Sequence, residues 1–365
     1  MTAIADLGIA FGRVAFVMLF ILNMGGLLTW VERKQSAIMQ DRIGANRASI
    51  LGFRLLGLFH PLADAIKMLT KEDFMPARAD RFLFQLAPFV SVFFGLVAFA
   101  AIPFGDTLRV AGREIPLQAV TLDVGVLYVF AMLSLSIYGV MMAGWSSANN
   151  YALLGAARGA ALMITAEIAI GASIMGVIMW YGSLSLQTIV RGQGDLLLGW
   201  IPAWGILVQP LGFLLFVTAG IASTKRVPFD FPEGESEIIG YFIEYSGMKF
   251  GMFAMADFLE TVVIAGLTTT LFLGGWQVPW LYADGFRFPG GAELALPHLL
   301  VVLLQVGAFT VKVSLMIFVM MLVRWTLPRF RYDQAMRLGW LGLFPLSVLN
   351  IVLTGAVLLL VGGPA

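Results

Sequence analysis

The chain has 365 residues, 59% of them hydrophobic and only 12% charged, with no cysteine and a formal net charge of +1; its mean hydropathy is +0.89. So few charges cannot cover a water-facing surface, and a net charge this small offers no basic face to nucleic-acid phosphates. Without cysteine the chain itself holds no disulfide, thiolate metal site or iron–sulfur cluster.

Apolar runs of about 20 residues recur along the chain, long enough to cross a bilayer as helices. They predict eight spans, at 8–31, 82–104, 121–143, 160–181, 200–222, 247–273, 297–323 and 339–361, in one all-α integral membrane domain covering 1–365. The first run is too long for a signal-peptide core, has no positive charge ahead of it and stops at Trp30 and Glu32-Arg33-Lys34, so it reads as a retained span. Beyond it, Ser49 to Lys71 sets Ile50, Phe53, Leu56, Leu62, Ile66 and Leu69 around Arg54, Asp64 and Lys67, a pattern that predicts an amphipathic helix lying along the interface. The loops after spans one, three, five and seven carry most of the loop Lys and Arg, which places them inside and both termini outside. No internal repeat or low-complexity tail is visible.

Charges within the apolar runs need a partner or a water-filled cavity, because a central charge costs about 2.5–3.5 kcal/mol on insertion scales. Arg13 and Asp123 lie near span ends and read as snorkelling or structural charges. Glu167 is different: it sits mid-span with Thr165 as its polar neighbour and reads as a protonatable site. Lys312, Asp257 and Glu260 are further charges inside spans.

Between the fifth and sixth spans, Thr224-Lys225-Arg226-Val227-Pro228-Phe229-Asp230-Phe231-Pro232-Glu233-Gly234-Glu235-Ser236-Glu237 crowds acids among apolar residues, with Glu244 at the start of the next span. Asp230, Glu233, Glu235 and Glu237 are spaced three, two and two residues apart, which predicts a set of carboxylates that titrate together and respond to a nearby change of charge. A solvated acidic loop tip is the plainer reading of such a run; the interleaved Val227, Pro228, Phe229, Phe231 and Pro232 weigh against it.

Glu32-Arg33-Lys34, Asp41-Arg42-Ile43-Gly44-Ala45-Asn46-Arg47, Pro61-Leu62-Ala63-Asp64-Ala65-Ile66-Lys67, Tyr151 to Arg158, Arg226-Val227-Pro228-Phe229-Asp230, Glu233 to Glu237, Glu244-Tyr245-Ser246-Gly247 and Arg329 to Gln334 occur in this order over nearly the whole chain. In this they resemble the signature blocks of the family of respiratory complex I H subunits, the membrane subunit of NADH:quinone oxidoreductase next to the peripheral arm. The resemblance implies eight transmembrane helices, an interfacial helix after the first, and a share in a long quinone chamber. Carried over by motif, Arg33, Arg42, Asp64, Lys67 and Arg226 are similar to quinone-chamber residues, and Asp230, Glu233, Glu235 and Glu237 to the loop facing the chamber. Glu167 and Glu244 match carboxylates leading from it into the membrane arm, and reduction of the quinone is expected to move protons through this acidic set.

The same resemblance implies a bacterial inner-membrane protein that is catalytic only within its complex. Quinone is the expected substrate, the expected partners are the peripheral-arm quinone-site subunits and adjacent small membrane subunits, and FMN and iron–sulfur clusters are expected in partner subunits. The chain departs from the family pattern at several points. Ala222-Ser223-Thr224-Lys225-Arg226 stands where Ala-Glu-Thr-Asn-Arg is common, so a carboxylate is lost and a cation gained; Asp257 stands where a Glu often follows Ala; and Glu237 to Glu244 is one residue short.

His60 and His298 lie in different segments without a second ligand at helical spacing, so haem and zinc lack support. Gly192-x-Gly194 lacks the rest of a dinucleotide fingerprint, which places NADH binding elsewhere. Two other classes remain open: the membrane anchor of an energy-converting hydrogenase, which shares the acidic loop but uses no quinone, and a secondary transporter, which would show repeats and broken helices.

Overall fold

A computed structural model describes residues 2–110, 112–197, 199–234, 237–238, 240–289 and 291–361. In chain order, α1 (Thr2–Met39) leads through an irregular segment to α2 (His60–Thr70) and α3 (Arg81–Ala98), then to a hairpin of β1 (Thr107–Val110) and β2 (Arg113–Pro116). Next come α4 (Gly125–Ser146), α5 (Asn150–Tyr181), α6 (Leu186–Gly192), the short pair β3 (Leu196–Leu197) and β4 (Ile201–Pro202), α7 (Gly205–Val208) and α8 (Pro210–Ser223). α9 (Gly247–Phe272) is followed by a small antiparallel sheet of β5 (Leu281–Tyr282), β6 (Gly285–Arg287) and β7 (Glu293–Ala295), and the chain closes with α10 (His298–Thr326), α11 (Tyr332–Arg337) and α12 (Phe344–Val361). All three strand groups follow the second, fourth and sixth predicted spans.

Among the described residues, seven helical runs are long and apolar enough to cross a membrane: α1, α3, α4, α5, α9, α10 and the run from Tyr332 to Leu360, in which a π-helical turn at Leu338–Leu343 joins α11 to α12. The fifth predicted span is broken. Proline lacks the backbone N–H that would continue the helix, and at Pro210 the apolar run divides into the single turn of α7 and the 14-residue α8. Gln209 at the break is buried; its Nε2 donates to Thr354 Oγ1 (2.9 Å), and its Oε1 accepts from Asn350 Nδ2 (3.1 Å).

The interfacial helix is shorter than expected. Of Ser49 to Lys71 only His60–Thr70 is an α-helix, because Leu51, Leu55 and Leu56 adopt positive φ and the backbone of Gly57 turns at φ +87° against the Ala45 carbonyl, where no Cβ fits.

α9 lies at the centre, packed by α1, α2, α3, α8 and α10, while α3, α4, α5 and α8 pack in succession around it. Lipid offers no hydrophobic drive for helix association, so small residues carry the close approaches. A Cβ on Gly139 of α4 would collide with Ser91 and the Ala87 carbonyl of α3, and one on Gly144 with Ala156 of α5. The connection from α8 to α9 lies against α5 in the same way: a Cβ on Gly155 would stand 2.9 Å from the Gly240 Cα.

Candidate functional site

The second half of α1, α2 and the first half of α9 line a cavity of about 490 Å³. Leu22, Pro61, Met68, Met248, Met252, Met255 and Phe258 make its wall largely apolar, and Glu32, Arg33 and Asp64 supply the polar groups. Arg33 Nη2 pairs with Asp64 Oδ2 at 2.5 Å, tying α1 to α2; Lys67, one turn on, lies 3.6 Å from the same carboxylate and is mostly exposed.

Glu32 faces inward. Its two oxygens take Arg226 Nη1 at 3.1 Å and Arg324 Nη1 at 2.5 Å, so a loop cation and a cation from the last turn of α10 share one carboxylate. The Arg226 guanidinium also stacks 3.9 Å over Phe258, which lines the cavity. Burial holds the proton affinity of Arg226 below the ordinary guanidinium value despite Glu32.

Deeper still, Lys225 Nζ lies 3.0 Å from Asp257 Oδ1 and 3.2 Å from Glu260 Oε2. Burial works against its charge, but the two carboxylates outweigh it and the net shift is upward. Glu260 also accepts from Ser136 Oγ at 2.7 Å, and Glu167 on α5 accepts from Ser134 Oγ at 2.7 Å. Between Glu167, Glu260 and Ser223 lies a void of about 10 Å³, roughly the space of one water.

A second, polar hollow of about 830 Å³ opens beside the first, lined by Lys71, Asp230, Glu233, Tyr245, Arg324 and Arg329 among others. Burial raises the Asp230 carboxyl, and burial followed by the charges of Asp257 and Asp230 pushes Glu233 up to about 8. Glu237 and Glu244 do not join them. Glu237 pairs with Arg158 of α5, whose guanidinium lies 5.3 Å from the Tyr332 ring centroid. Glu244 accepts from Asn149 Nδ2 at 2.6 Å, beside the cap of α5. Glu235 lies outside the described residues.

Arg33 and Asp64 therefore sit on the apolar cavity, Arg226 behind it, Asp230 and Glu233 on the polar hollow, and Glu167 at the inner end of the carboxylates. Arg42 stands apart, bonded to Gln40 Oε1 at 2.7 Å. Sequence reasoning did not assign Glu32, Lys225, Asp257, Glu260 and Arg324 to the site. Asp257 and Glu260, three residues apart on a largely apolar helix, were the available signal, since two acids on one helical face call for a cation.

These features define a polytopic membrane protein with a line of buried charges running from an apolar cavity to mid-span. The NADH dehydrogenase family model matches residues 12–355, and the chain belongs to that family. Among similar proteins, an H subunit of the NADH-quinone oxidoreductase of Geobacter metallireducens is 41% identical over 99% of this chain and 100% of its own length. The H subunit of the Thermomicrobium roseum NADH-quinone oxidoreductase is 45% identical over 94% of each chain, and one from Rhizobium meliloti 42% over 98% of this chain and 99% of its own.

Proposed function

We propose that this chain is the quinone-chamber and proton-coupling membrane subunit of an NADH:quinone oxidoreductase, active only within that complex. The observation that carries the reading is the unbroken order of groups: an apolar cavity edged by Glu32, Arg33 and Asp64, then Arg226, then Lys225 with Asp257 and Glu260, then Glu167. A cavity of about 490 Å³ falls within the range of sites for small organic ligands. Its apolar wall suits an isoprenoid quinone, and its charged edge suits the polar ring. Two-electron reduction creates a demand for two protons, and the acids behind the edge answer it.

The relatives' names favour a quinone oxidoreductase over the hydrogenase anchor. On this reading the neighbours are peripheral-arm quinone-site subunits and small membrane subunits. FMN and iron–sulfur clusters reside in partner chains, and the complex lies in a bacterial inner membrane with both termini of this chain outside.

A photoreactive quinone analogue applied to the assembled complex tests the cavity. Adducts are expected within 29–33, 61–68 and 248–258; labelling confined to other segments would overturn the assignment. For the proton route, Glu167→Gln should leave assembly intact while lowering quinone reduction and proton pumping by about 100-fold, the lower end of what a proton-transferring group contributes. Full pumping in the assembled variant would remove Glu167 from the route.

A further inference from the structure

Lys225 has no role in the reading above beyond its place in the line, yet it is the most enclosed cation of the site, with a side chain only 4% exposed. It follows α8 at φ +55°, a conformation that a residue with a Cβ holds only where its surroundings fix it. That turn directs its ammonium under α8 and onto α9, where Asp257 and Glu260 lie one turn apart. One ammonium thus serves two carboxylates, and the group carries a net charge of one negative unit when all three are ionised. The other titratable groups near it are Arg226, Asp230 and Glu233 of the same connection, Tyr241, and Glu167 of α5; Glu32 and Arg324 lie beyond Arg226.

The arrangement is asymmetric in what adjoins each acid. The Asp257 charge reaches Glu233 on the polar hollow, whereas Glu260 borders the water-sized void shared with Glu167. A proton moving from the hollow to Glu167 therefore meets two acids already bound to one cation. When Asp257 accepts a proton, its hold on Lys225 falls and the ammonium belongs to Glu260 alone. When that proton passes to Glu260 and on through the void, the ammonium returns to Asp257. One proton enters and one leaves, with no bond to carbon formed or broken and no electron moved.

We propose that Lys225 is a positioning residue for proton transfer, an internal counter-cation that shifts between Asp257 and Glu260 as each proton crosses. This rests on the proposed route to Glu167, and the test separates the two. In the assembled complex reconstituted in liposomes, with NADH as donor and a short-chain quinone as acceptor, quinone reduction and pumping are measured against pH for Lys225→Met, Lys225→Arg, Asp257→Asn and Glu167→Gln. Without the ammonium the two acids must share a proton, and its loss at higher pH leaves two uncompensated charges. Lys225→Met should accordingly keep its quinone KM within about twofold, lose kcat because the shared proton is held too tightly, and shift its alkaline limb up by about one pH unit or more. Lys225→Arg should restore the limb.

Asp257→Asn leaves a one-to-one pair with nowhere for the cation to go, and should lower pumping about tenfold or more. This variant keeps the proposal testable if Lys225→Met does not assemble. A wild-type pH profile in assembled Lys225→Met, a change in KM alone, or normal pumping in Asp257→Asn would overturn the hand-over. Normal pumping in Glu167→Gln would instead overturn the route itself.

Discussion

Glu32→Gln is the sharpest perturbation of the site's frame, because one carboxylate there neutralises two guanidiniums. The amide keeps the shape and one acceptor oxygen, but it removes the charge that both Arg226 and Arg324 face at 3.1 and 2.5 Å. Breaking a buried ion pair costs about 3–5 kcal/mol, since the remaining charge stays desolvated. Arg226 is 11% exposed and Arg324 25% exposed. The second cation keeps some water, so the lower end, about 3 kcal/mol, applies. That corresponds to about a 100-fold rise in the opening of the connection after α8. Phe229 N–H donates to the Arg226 carbonyl at 2.8 Å and Phe330 N–H to the Pro228 carbonyl at 3.1 Å, so these two amides report the opening. Hydrogen exchange on the assembled complex should show both accelerated about 100-fold, while Gly274 N–H, bound to Gln193 Oε1 on the far side, stays unchanged. Unaltered exchange at Phe229 and Phe330 would mean that Glu32 does not hold the loop.

Two further outcomes are expected. Lys312 Nζ donates to the carbonyls of Leu273, Gly275 and Gln277 at 2.8, 3.1 and 2.6 Å, closing the end of α9. Lys312→Met strands these acceptors at about 1–3 kcal/mol each, and should lower the thermal stability of the purified complex without changing quinone reduction at low temperature; an unchanged melting curve would contradict this. Glu233 is raised from the ordinary 4.5 to about 8, so it binds a proton in the folded loop where the unfolded loop does not. The stability it confers is complete below about 4.5 and is lost as pH rises through about 8. Loop opening, followed by exchange corrected for intrinsic rate, should therefore increase across that window in the wild type and less steeply in Glu233→Gln, where the raised Asp230 alone remains; parallel profiles would refute the assignment.

The helical frame was legible because each apolar run is as long as a bilayer is thick, and that signal is local. The division at Pro210 was not read, since apolar residues continue on both sides and the partners of Gln209 lie on α12, more than a hundred residues away. The acidic connection shows the same limit. Spacing alone suggests one set of interacting acids, but Arg158 draws Glu237 aside and Asn149 takes Glu244, leaving Asp230 and Glu233 together. Lys225 was visible as an added cation and Asp257 with Glu260 as isolated charges. Only the backbone turn after α8 joins them, and neither composition nor period encodes a contact between a loop and a distant helix.

The shortness of α8 bears on electrical insulation. Fourteen residues rise only about 21 Å, against a hydrocarbon layer of about 30 Å. Beyond its first turn lie two carboxamides and a hydroxyl from Gln209, Asn350 and Thr354, so polarizable groups interrupt the apolar run between α8 and the single turn of α7. The dielectric barrier along the helix that ends at Ser223 is therefore thinner than an uninterrupted apolar span would make it. A membrane potential falls mostly across what is oily, so along α8 the field is concentrated between those carboxamides and the acids at the other end.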